Sequence, residues 1–167
     1  MAKNLELKIP INKMNFYLVE LKKRNAVFSG TLNQTDIYYS FSKGLLKLRN
    51  QNGKYELIKY NRNEKGGERW SNYSLLFISG EEVENYLNDL FETETVVEKI
   101  RQVYIYKNTR IHLDNVKKIG KFLELETVVK NITEEEAIDE FNEVVHFLKL
   151  DANKEIRKSY RDLMLNL

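Results

Sequence analysis

Gly120-Lys-Phe-Leu-Glu-Leu-Glu126, near the end of the chain, alternates charged and apolar residues, and Asn4-Leu-Glu-Leu-Lys8 does the same near its start. Residues two apart in a β-strand point to the same side of a sheet. The charged residues of each segment therefore share one face, while the leucines between them face away. Carboxylates grouped on one surface with basic residues close by suit a divalent metal ion and a polyphosphate.

Several other strand-like segments repeat this alternation. The charged faces together carry seven basic residues against five acidic ones, namely Lys8, Lys47, Arg49, Arg62, Lys99, Arg101 and Arg110 against Glu6, Glu56, Asp114, Glu124 and Glu126. One interpretation is an open antiparallel sheet with one face in water. The other is a closed barrel with a charged interior and an apolar exterior covered by helices. Composition favours the barrel, because basic residues at successive same-face positions repel one another unless an anion lies among them.

The order of elements predicts an α+β fold in which strands predominate. Strands are expected at the start of the chain and at about 35–41, 45–50, 55–62, 69–77, 94–106, 109–116 and 121–130. Helices are expected at about 13–24, 80–91, 134–148 and 153–164. Asn12 and Ser79 are positioned to cap the first two helices, the second with Glu82 in a capping box, and Thr133 with Glu136 forms a capping box for the third.

Length and composition exclude several classes of protein. A chain of 167 residues, 42% of them hydrophobic, is long enough for one domain spanning 1–167. The net charge of +2 implies no long-range basic field, so charge does not indicate a nucleic-acid groove. The chain has no cysteine, which excludes disulfide frameworks, thiol nucleophiles and zinc-thiolate sites. No apolar run approaches the roughly 18 residues that span a bilayer, so we expect a soluble, cytoplasmic protein that does not contact membrane.

Six motifs in sequence resemble the CYTH domain, a superfamily also called the triphosphate tunnel metalloenzymes. They are Glu6-x-Lys8, Leu46-Lys-Leu-Arg49, Glu56-Leu-Ile-x-Tyr-x-Arg62, Lys99-x-Arg101-x-x-Tyr104, the run from Arg110-Ile-His-Leu-Asp114 to Glu124-x-Glu126, and Ser159-Tyr-Arg-Asp-Leu163. The chain is most similar to the branch named after class IV adenylate cyclases. The resemblance implies an eight-stranded antiparallel tunnel with helices outside. Such a tunnel binds a triphosphate with Mg²⁺ or Mn²⁺ and either hydrolyses it or closes it to a cyclic nucleotide.

The resemblance also implies roles for individual residues. The metal ligands would be Glu6, Glu124 and Glu126. The phosphate contacts would be Lys8, Lys47, Arg49, Arg62, Lys99, Arg101 and Arg110, of which Lys8, Lys99 and Arg101 would also be catalytic. Glu56, Arg69 and Asp114 complete the expected substrate-binding set. Arg69 either closes over a phosphate tail or is a solvated loop charge. Asp114 is a metal ligand, an orienter for a lysine or a contact to a nucleotide.

Two positions depart from the family pattern, and both bear on function. Asn4 stands where the superfamily signature has a first glutamate, and an uncharged amide oxygen is a weaker ligand for a second metal ion. Tyr60 stands where triphosphatase relatives often carry lysine, which disfavours bare tripolyphosphate as the substrate. His112 is either a general base or a strand histidine within a charged network.

Three functions stay open at this point. The first is cyclisation of ATP to cyclic AMP and pyrophosphate, and the second is hydrolysis of an inorganic, thiamine or nucleoside triphosphate. The third is a nucleotide- or polyphosphate-binding protein that lost turnover through Asn4. The expected partner is a triphosphate, in particular a nucleotide, and a homodimer is compatible with the sequence.

Overall fold

The computed structural model describes residues 2–62 and 67–167, including all side chains in these ranges except those of Ala2 and Arg62. The strands are β1 Ala2–Pro10, β2 Val27–Tyr39, β3 Leu45–Gln51, β4 Lys54–Arg62, β5 Trp70–Ile78, β6 Thr93–Tyr106, β7 Thr109–Val116 and β8 Gly120–Val128. Within the described residues, these eight strands close into one antiparallel barrel in the order β1-β5-β4-β3-β2-β6-β7-β8. The α+β barrel expected from the alternating charges is therefore confirmed.

Helices cover the outer face of the barrel. They are α1 Asn15–Lys23, α2 Val83–Leu90, α3 Glu134–Phe147 and α4 Tyr160–Leu165. Leu21 of α1 and Val144 of α3 pack with Leu7, Leu113 and Leu125 of the barrel wall in one buried cluster. Because the apolar side chains of these strands pack against helices, their charged neighbours at alternate positions point into the barrel. In the described part of the chain, no helix has both the length and the apolar character needed to cross a membrane.

Strand β2 begins earlier than the sequence indicates. The expected start was about residue 35, whereas the strand begins at Val27 and pairs with the long strand β6, starting from Val27 opposite Ile105. A bulge lies between Phe28 and Gly30, and Gly30 has a φ of 142°, which favours glycine. The extra residues were missed because their pairing depends on a distant strand rather than on local alternation.

Two of the three expected helix caps are wrong. Met14 and Glu82 occupy the N-cap positions of α1 and α2, and neither makes a side-chain capping hydrogen bond. The capping box at the start of α3 is confirmed, since Thr133 Oγ1 accepts from the backbone of Glu136, and the Glu136 carboxylate accepts from the backbone of Thr133. Of the three expected caps, only the one at Thr133 was therefore predicted correctly.

The last helix was also predicted wrongly. A single 3₁₀ turn, Ala152–Lys154, replaces its first half, and α4 begins only at Tyr160. Between them the backbone pairs with the barrel, and Ile156 N donates to the carbonyl oxygen of Lys8 at 2.8 Å. Ser159 then caps α4 in a capping box. These contacts use backbone groups that a continuous helix would have needed, and they hold the C-terminal segment against β1.

One end of the barrel interior is filled, and the other is open. Tyr38, Val97, Phe122 and Tyr160 belong to a buried cluster at the end where α4 packs. At the opposite end, inward-facing residues are only half-buried, among them Gln51, Glu56 and Leu75. The interior is therefore a pocket whose mouth lies at the end where β1 and β7 begin.

Candidate active site

The pocket inside the barrel has a volume of about 320 Å³, within the range typical of small-molecule sites. Its polar and charged lining comes from Asn4, Glu6, Lys8, Gln34, Lys47, Arg49, Gln51, Glu56, Ser71, Lys99, Arg101, Arg110, His112, Glu124 and Glu126, with Tyr38, Tyr60, Tyr73 and Tyr160. Most of the residues singled out in the sequence therefore line one cavity. The lining residues come from all eight strands, and barrel closure brings them together.

A basic cluster occupies one wall of this pocket and is centred on Asp36, which is fully buried. Lys47 Nζ donates to Asp36 Oδ2 at 2.8 Å, and Lys99 Nζ donates to the same oxygen at 2.7 Å. Arg49 makes two hydrogen bonds to this carboxylate, at 2.7 and 2.8 Å. Three basic side chains of the described chain thus share one carboxylate, which leaves an excess of positive charge facing the cavity.

Burial shifts the protonation of this cluster. Burial and the neighbouring Arg49 lower the pKa of Lys47 to about 7. Burial also lowers the pKa of Lys99, to about 8, although Asp36 opposes the shift. Burial alone would raise the pKa of Asp36, but Arg49, Lys47 and Lys99 hold it well below its usual range. The aspartate is therefore ionised, and both lysines exchange protons near neutral pH.

A second cluster surrounds Asp114, which is also fully buried. Arg101 donates to the two oxygens of Asp114 at 2.7 and 2.6 Å and also contacts Glu124. The hydroxyl of Tyr160 donates to Asp114 Oδ2 at 2.8 Å. Asp114 thus lies behind the cavity wall, where it orients Arg101 and Tyr160 rather than a lysine. Although burial opposes it, Asp114 and Glu124 raise the pKa of Arg101 well above its ordinary value.

The acidic wall of the pocket combines Glu124 and Glu126 with His112. The ligand atoms of these three side chains lie within 4.8 Å of one another. Arg110 Nη2 lies 2.7 Å from Glu126 Oε2, and His112 Nδ1 lies 3.7 Å from Glu126 Oε1. Burial alone would raise the pKa of Glu126, but Arg110 together with His112 and Arg101 outweighs this and lowers the pKa to about 2. Burial and Arg101 lower the pKa of His112 to about 4, so its ring is neutral at physiological pH.

This wall fits a divalent cation. The carboxylates of Glu124 and Glu126 would supply the oxygen ligands that Mg²⁺ and Mn²⁺ accept together with phosphate oxygens and water. The buried Nδ1 atom of His112 has no hydrogen-bond partner among the described residues. Glu6 lies opposite Glu126 on the neighbouring strand and lines the same cavity, with its Oε2 atom 3.9 Å from Arg69 Nη1. The resemblance implies Glu6 as the third metal ligand beside Glu124 and Glu126. In the structure, the third residue whose ligand atom lies close to theirs is His112.

Lys8 and Arg69 lie against the C-terminal segment. Lys8 is fully buried, and its Nζ atom donates to the carbonyl oxygen of Lys158 and lies 4.5 Å from the centre of the Tyr160 ring. Arg69 is 2% exposed and donates to the carbonyl oxygen of Arg157, so it is not a solvated loop charge. The side chain of Arg62, which the resemblance assigns to phosphate binding, lies outside the described part of the chain.

Asn4 faces the cavity, as the register assigned to the first strand requires. It is 3% exposed and pairs with Ser71 on one side and Val128 on the other. In the amide orientation that satisfies both of its polar atoms, its oxygen accepts from Arg110 Nη2 at 3.2 Å. The residue that departs from the family signature thus contacts the same arginine that holds Glu126.

A family model for the CYTH domain matches residues 2–160. The chain belongs to the CYTH family. A protein of Methanocaldococcus jannaschii that is named as a candidate adenylate cyclase is 25% identical over 169 residues, which cover 95% of this chain and 97% of that protein. Members of this family depend on metal, bind triphosphates and are adenylate cyclase-like proteins or triphosphatases.

Solved structures share the fold. A protein of Pyrococcus horikoshii OT3 superposes with a TM-score of 0.81 at 24% identity, covering 96% of this chain and 98% of that one. A Hippeastrum protein, described as a candidate adenylyl cyclase with a dominant triphosphatase activity, has a TM-score of 0.62 at 14% identity, covering 90% and 89%. At these identities the two structures support the barrel and its connectivity alone.

Sequence reasoning missed Asp36 and gave Tyr160 no role. A signal for Asp36 was present, because it stands two residues from both Gln34 and Tyr38, and Ile37 and Tyr39 take the outward positions. Repulsion among the inward-facing basic residues also calls for an anion between them, and Asp36 is that anion. Tyr160 gave no such signal, because its contact with Asp114 joins residues 46 apart in sequence.

Proposed function

We propose that this protein is a metal-dependent enzyme that acts on a nucleoside triphosphate inside the barrel, and that it converts ATP to cyclic AMP and pyrophosphate. One observation carries the proposal. A single pocket holds the basic cluster around Asp36 and, across from it, the carboxylates of Glu124 and Glu126. A polyanion accompanied by a divalent cation complements both walls at once.

The basic side chains would bind and orient the phosphates. Arg49 and Arg101 keep their charge at every physiological pH, and each is held in place by a buried carboxylate. Fixed donors of this kind stabilise charge that develops on a leaving phosphate without reorganising during the reaction. The metal, held by Glu124 and Glu126, would neutralise phosphate oxygens and polarise the phosphorus under attack.

The mouth of the pocket supports a nucleoside over a bare polyphosphate. Half-buried Leu32 and Leu75 line this part of the pocket, and half-buried Tyr73 lines it as well. Apolar and aromatic side chains pack against a base or sugar but leave a bare phosphate chain without a partner there. Tyr60 also stands where triphosphatase relatives often carry a lysine, and the loss of that cation disfavours bare tripolyphosphate.

Cyclisation would require the ribose 3′ hydroxyl to lose its proton as it attacks the α-phosphorus. Lys99 has a pKa of about 8, so its deprotonated form can accept a proton near neutral pH. Arg101, held charged by Asp114, would neutralise the pyrophosphate that leaves. Lys8 would contact phosphate at the filled end of the pocket, where it lies beside Tyr160.

Hydrolysis to the diphosphate is the second candidate, and the position of Lys47 favours it. Lys47 has a pKa of about 7 and lies against the filled end, 5.3 Å from the centre of the Tyr38 ring. A neutral lysine there could accept a proton from water attacking a terminal phosphate. The two reactions use the same cradle and differ in which phosphorus meets which nucleophile.

Product analysis separates these candidates. The purified protein is incubated with ATP, GTP, tripolyphosphate or thiamine triphosphate in Mg²⁺ or Mn²⁺. Cyclic nucleotide with pyrophosphate supports the proposal, and orthophosphate with a diphosphate supports the second candidate. Binding without product would indicate a protein that lost turnover through Asn4.

Glu126→Gln should abolish turnover with the fold intact, while Glu98→Gln, at an exposed glutamate on the outside of β6, should not.

A further inference from the structure

We infer that His112 is a nitrogen ligand of the metal in this pocket, and that the site consequently binds Mn²⁺ in preference to Mg²⁺. The inference rests on the metal dependence of the proposed function and deepens it. It assigns to His112 a role that neither of the sequence alternatives, a general base or a network histidine, provides.

His112 is buried, and one of its ring nitrogens makes no hydrogen bond within the described chain. Its side chain lines the cavity and is 5% exposed, so water from outside the pocket does not satisfy its ring. The Nδ1 atom has no hydrogen-bond partner among the described residues. Buried polar atoms in folded proteins are almost always partnered, and the exceptions commonly mark the place of a missing ion or water. An imidazole nitrogen that lies beside two carboxylates on one wall of a cavity is a cation ligand by chemistry and by position.

The two carboxylates beside His112 are held in place by arginines. His112 lies directly opposite Glu124 in the β7–β8 ladder, and the next inward pair along it is Arg110 with Glu126. Arg110 holds Glu126 Oε2, so the other oxygen of that carboxylate points toward His112. Arg101 contacts Glu124 in a similar way. Hydrogen bonds of this kind orient metal ligands, and here both partner arginines come from the barrel wall.

The distances among these atoms allow coordination with little movement. Ligand atoms that lie about 2.1 Å from one ion are separated from each other by about 3 to 4 Å. The nearest ligand atoms of His112, Glu124 and Glu126 lie within 4.8 Å of one another. Side-chain movements of less than about 1 Å would therefore bring the three ligand atoms into contact with one cation. Because all three project from adjacent, hydrogen-bonded strands, the site does not require a loop to close.

The ligand atoms of this site favour Mn²⁺ over Mg²⁺. Mg²⁺ prefers oxygen ligands and loses its water reluctantly, so an imidazole nitrogen contributes little to its binding. Mn²⁺, like Mg²⁺, suits carboxylate and phosphate oxygens, but as a transition-metal ion it accepts an imidazole nitrogen more readily than Mg²⁺ does. A site with two carboxylates and one imidazole nitrogen therefore favours Mn²⁺ over Mg²⁺, whereas three carboxylates would not.

The decisive experiment uses the wild-type protein loaded with Mn²⁺ in the absence of any nucleotide. Pulsed electron paramagnetic resonance should detect the coupling of a directly bound ¹⁴N nucleus to the manganese. Calorimetric titration should give tighter binding of Mn²⁺ than of Mg²⁺. In His112→Gln the nitrogen coupling should vanish and Mn²⁺ affinity should fall about 10-fold or more, with Mg²⁺ affinity changing less than about 3-fold.

The matched control is His146→Gln, at the other histidine of the chain, which is exposed on α3. This variant should keep both the nitrogen coupling and the metal preference. Manganese bound without nitrogen coupling in the wild type would overturn the inference, and that measurement needs no variant to fold. If such a protein still turned over a triphosphate, the proposed function would stand without this ligand. If neither Mn²⁺ nor Mg²⁺ bound and no product formed, both proposals would fail together.

Discussion

Asp36→Asn tests whether the basic wall of the pocket depends on one buried carboxylate. The substitution keeps the shape of the side chain but removes the charge on which Lys47, Arg49 and Lys99 converge. Removing one partner of a buried ion pair costs about 3–5 kcal/mol, because the remaining charge is left uncompensated. Lys47 can relieve part of this cost by losing its proton, since its pKa is already about 7. We therefore expect a loss of about 3 kcal/mol, or about 6–12 °C in Tm for a chain of this size.

Asp36→Asn should also change how the free energy of unfolding depends on pH. The pKa of Lys47 falls from 10.5 to about 7 on folding, so between these values the unfolded chain binds more protons and stability rises with pH. Asp36 opposes that fall, and without it the pKa of Lys47 should drop further. The stability of Asp36→Asn should then also rise steeply below pH 7. The wild type, in contrast, should lose the contribution of Asp36 only under acidic conditions, because the folded pKa of that carboxyl is depressed.

Urea unfolding at pH 6 and pH 8, with and without tripolyphosphate, measures these effects. The variant should lose more stability at pH 6 than at pH 8, and tripolyphosphate should stabilise it more than the wild type because the anion replaces the missing carboxylate. The control is Asp139→Asn, at an exposed position on α3, which should change stability by less than about 0.5 kcal/mol. A free energy of unfolding for Asp36→Asn within that margin at both pH values would refute the reasoning.

Three further predictions concern ligand binding. Arg49→Ala should weaken triphosphate binding by about 1.5–3 kcal/mol, measured by calorimetry, and should lower Tm without ligand because the buried aspartate loses its bidentate partner. Triphosphate binding at pH 8 should take up protons, because a bound polyanion raises the pKa values of Lys47 and Lys99 from about 7 and about 8, and titrations in buffers of different ionisation enthalpy detect this uptake. Asn4→Glu should tighten Mn²⁺ binding and weaken metal-free triphosphate binding, since it adds a carboxylate beside Arg110.

Each of these predictions has a result that contradicts it. Lys59→Ala, at an exposed lysine on the outside of β4, is the control for Arg49→Ala, and equal affinities in the two variants would mean that the inner basic residues do not bind phosphate. Proton release, or no exchange, on binding at pH 8 would place the phosphates away from both lysines. Unaltered Mn²⁺ affinity in Asn4→Glu would show that the metal binds beyond the reach of position 4.

Local alternation was enough to predict which side chains face the interior. Within a strand the side-chain period is two, so the assignment of Glu124 and Glu126, or of Lys47 and Arg49, to one face depends only on residues next to them in the chain. The composition of these faces also indicated closure, since so many basic residues at same-face positions need an anion among them. The capping box at Thr133 is equally local, because both of its partners lie within one turn.

Partnerships across the barrel were decided by the tertiary structure alone. The sequence contains nothing that joins Asp36 to Lys99, which are 63 residues apart and meet only because β2 pairs with β6. For the same reason the expectation that the basic residues repel one another was incomplete, since Asp36 already lies among them. The register of the β7–β8 hairpin sets His112 beside Glu124 and Glu126, and turns a strand histidine into a candidate metal ligand. Strand register and barrel closure are long-range properties, so short-range periodicity identifies the inward residues but not the partners they meet.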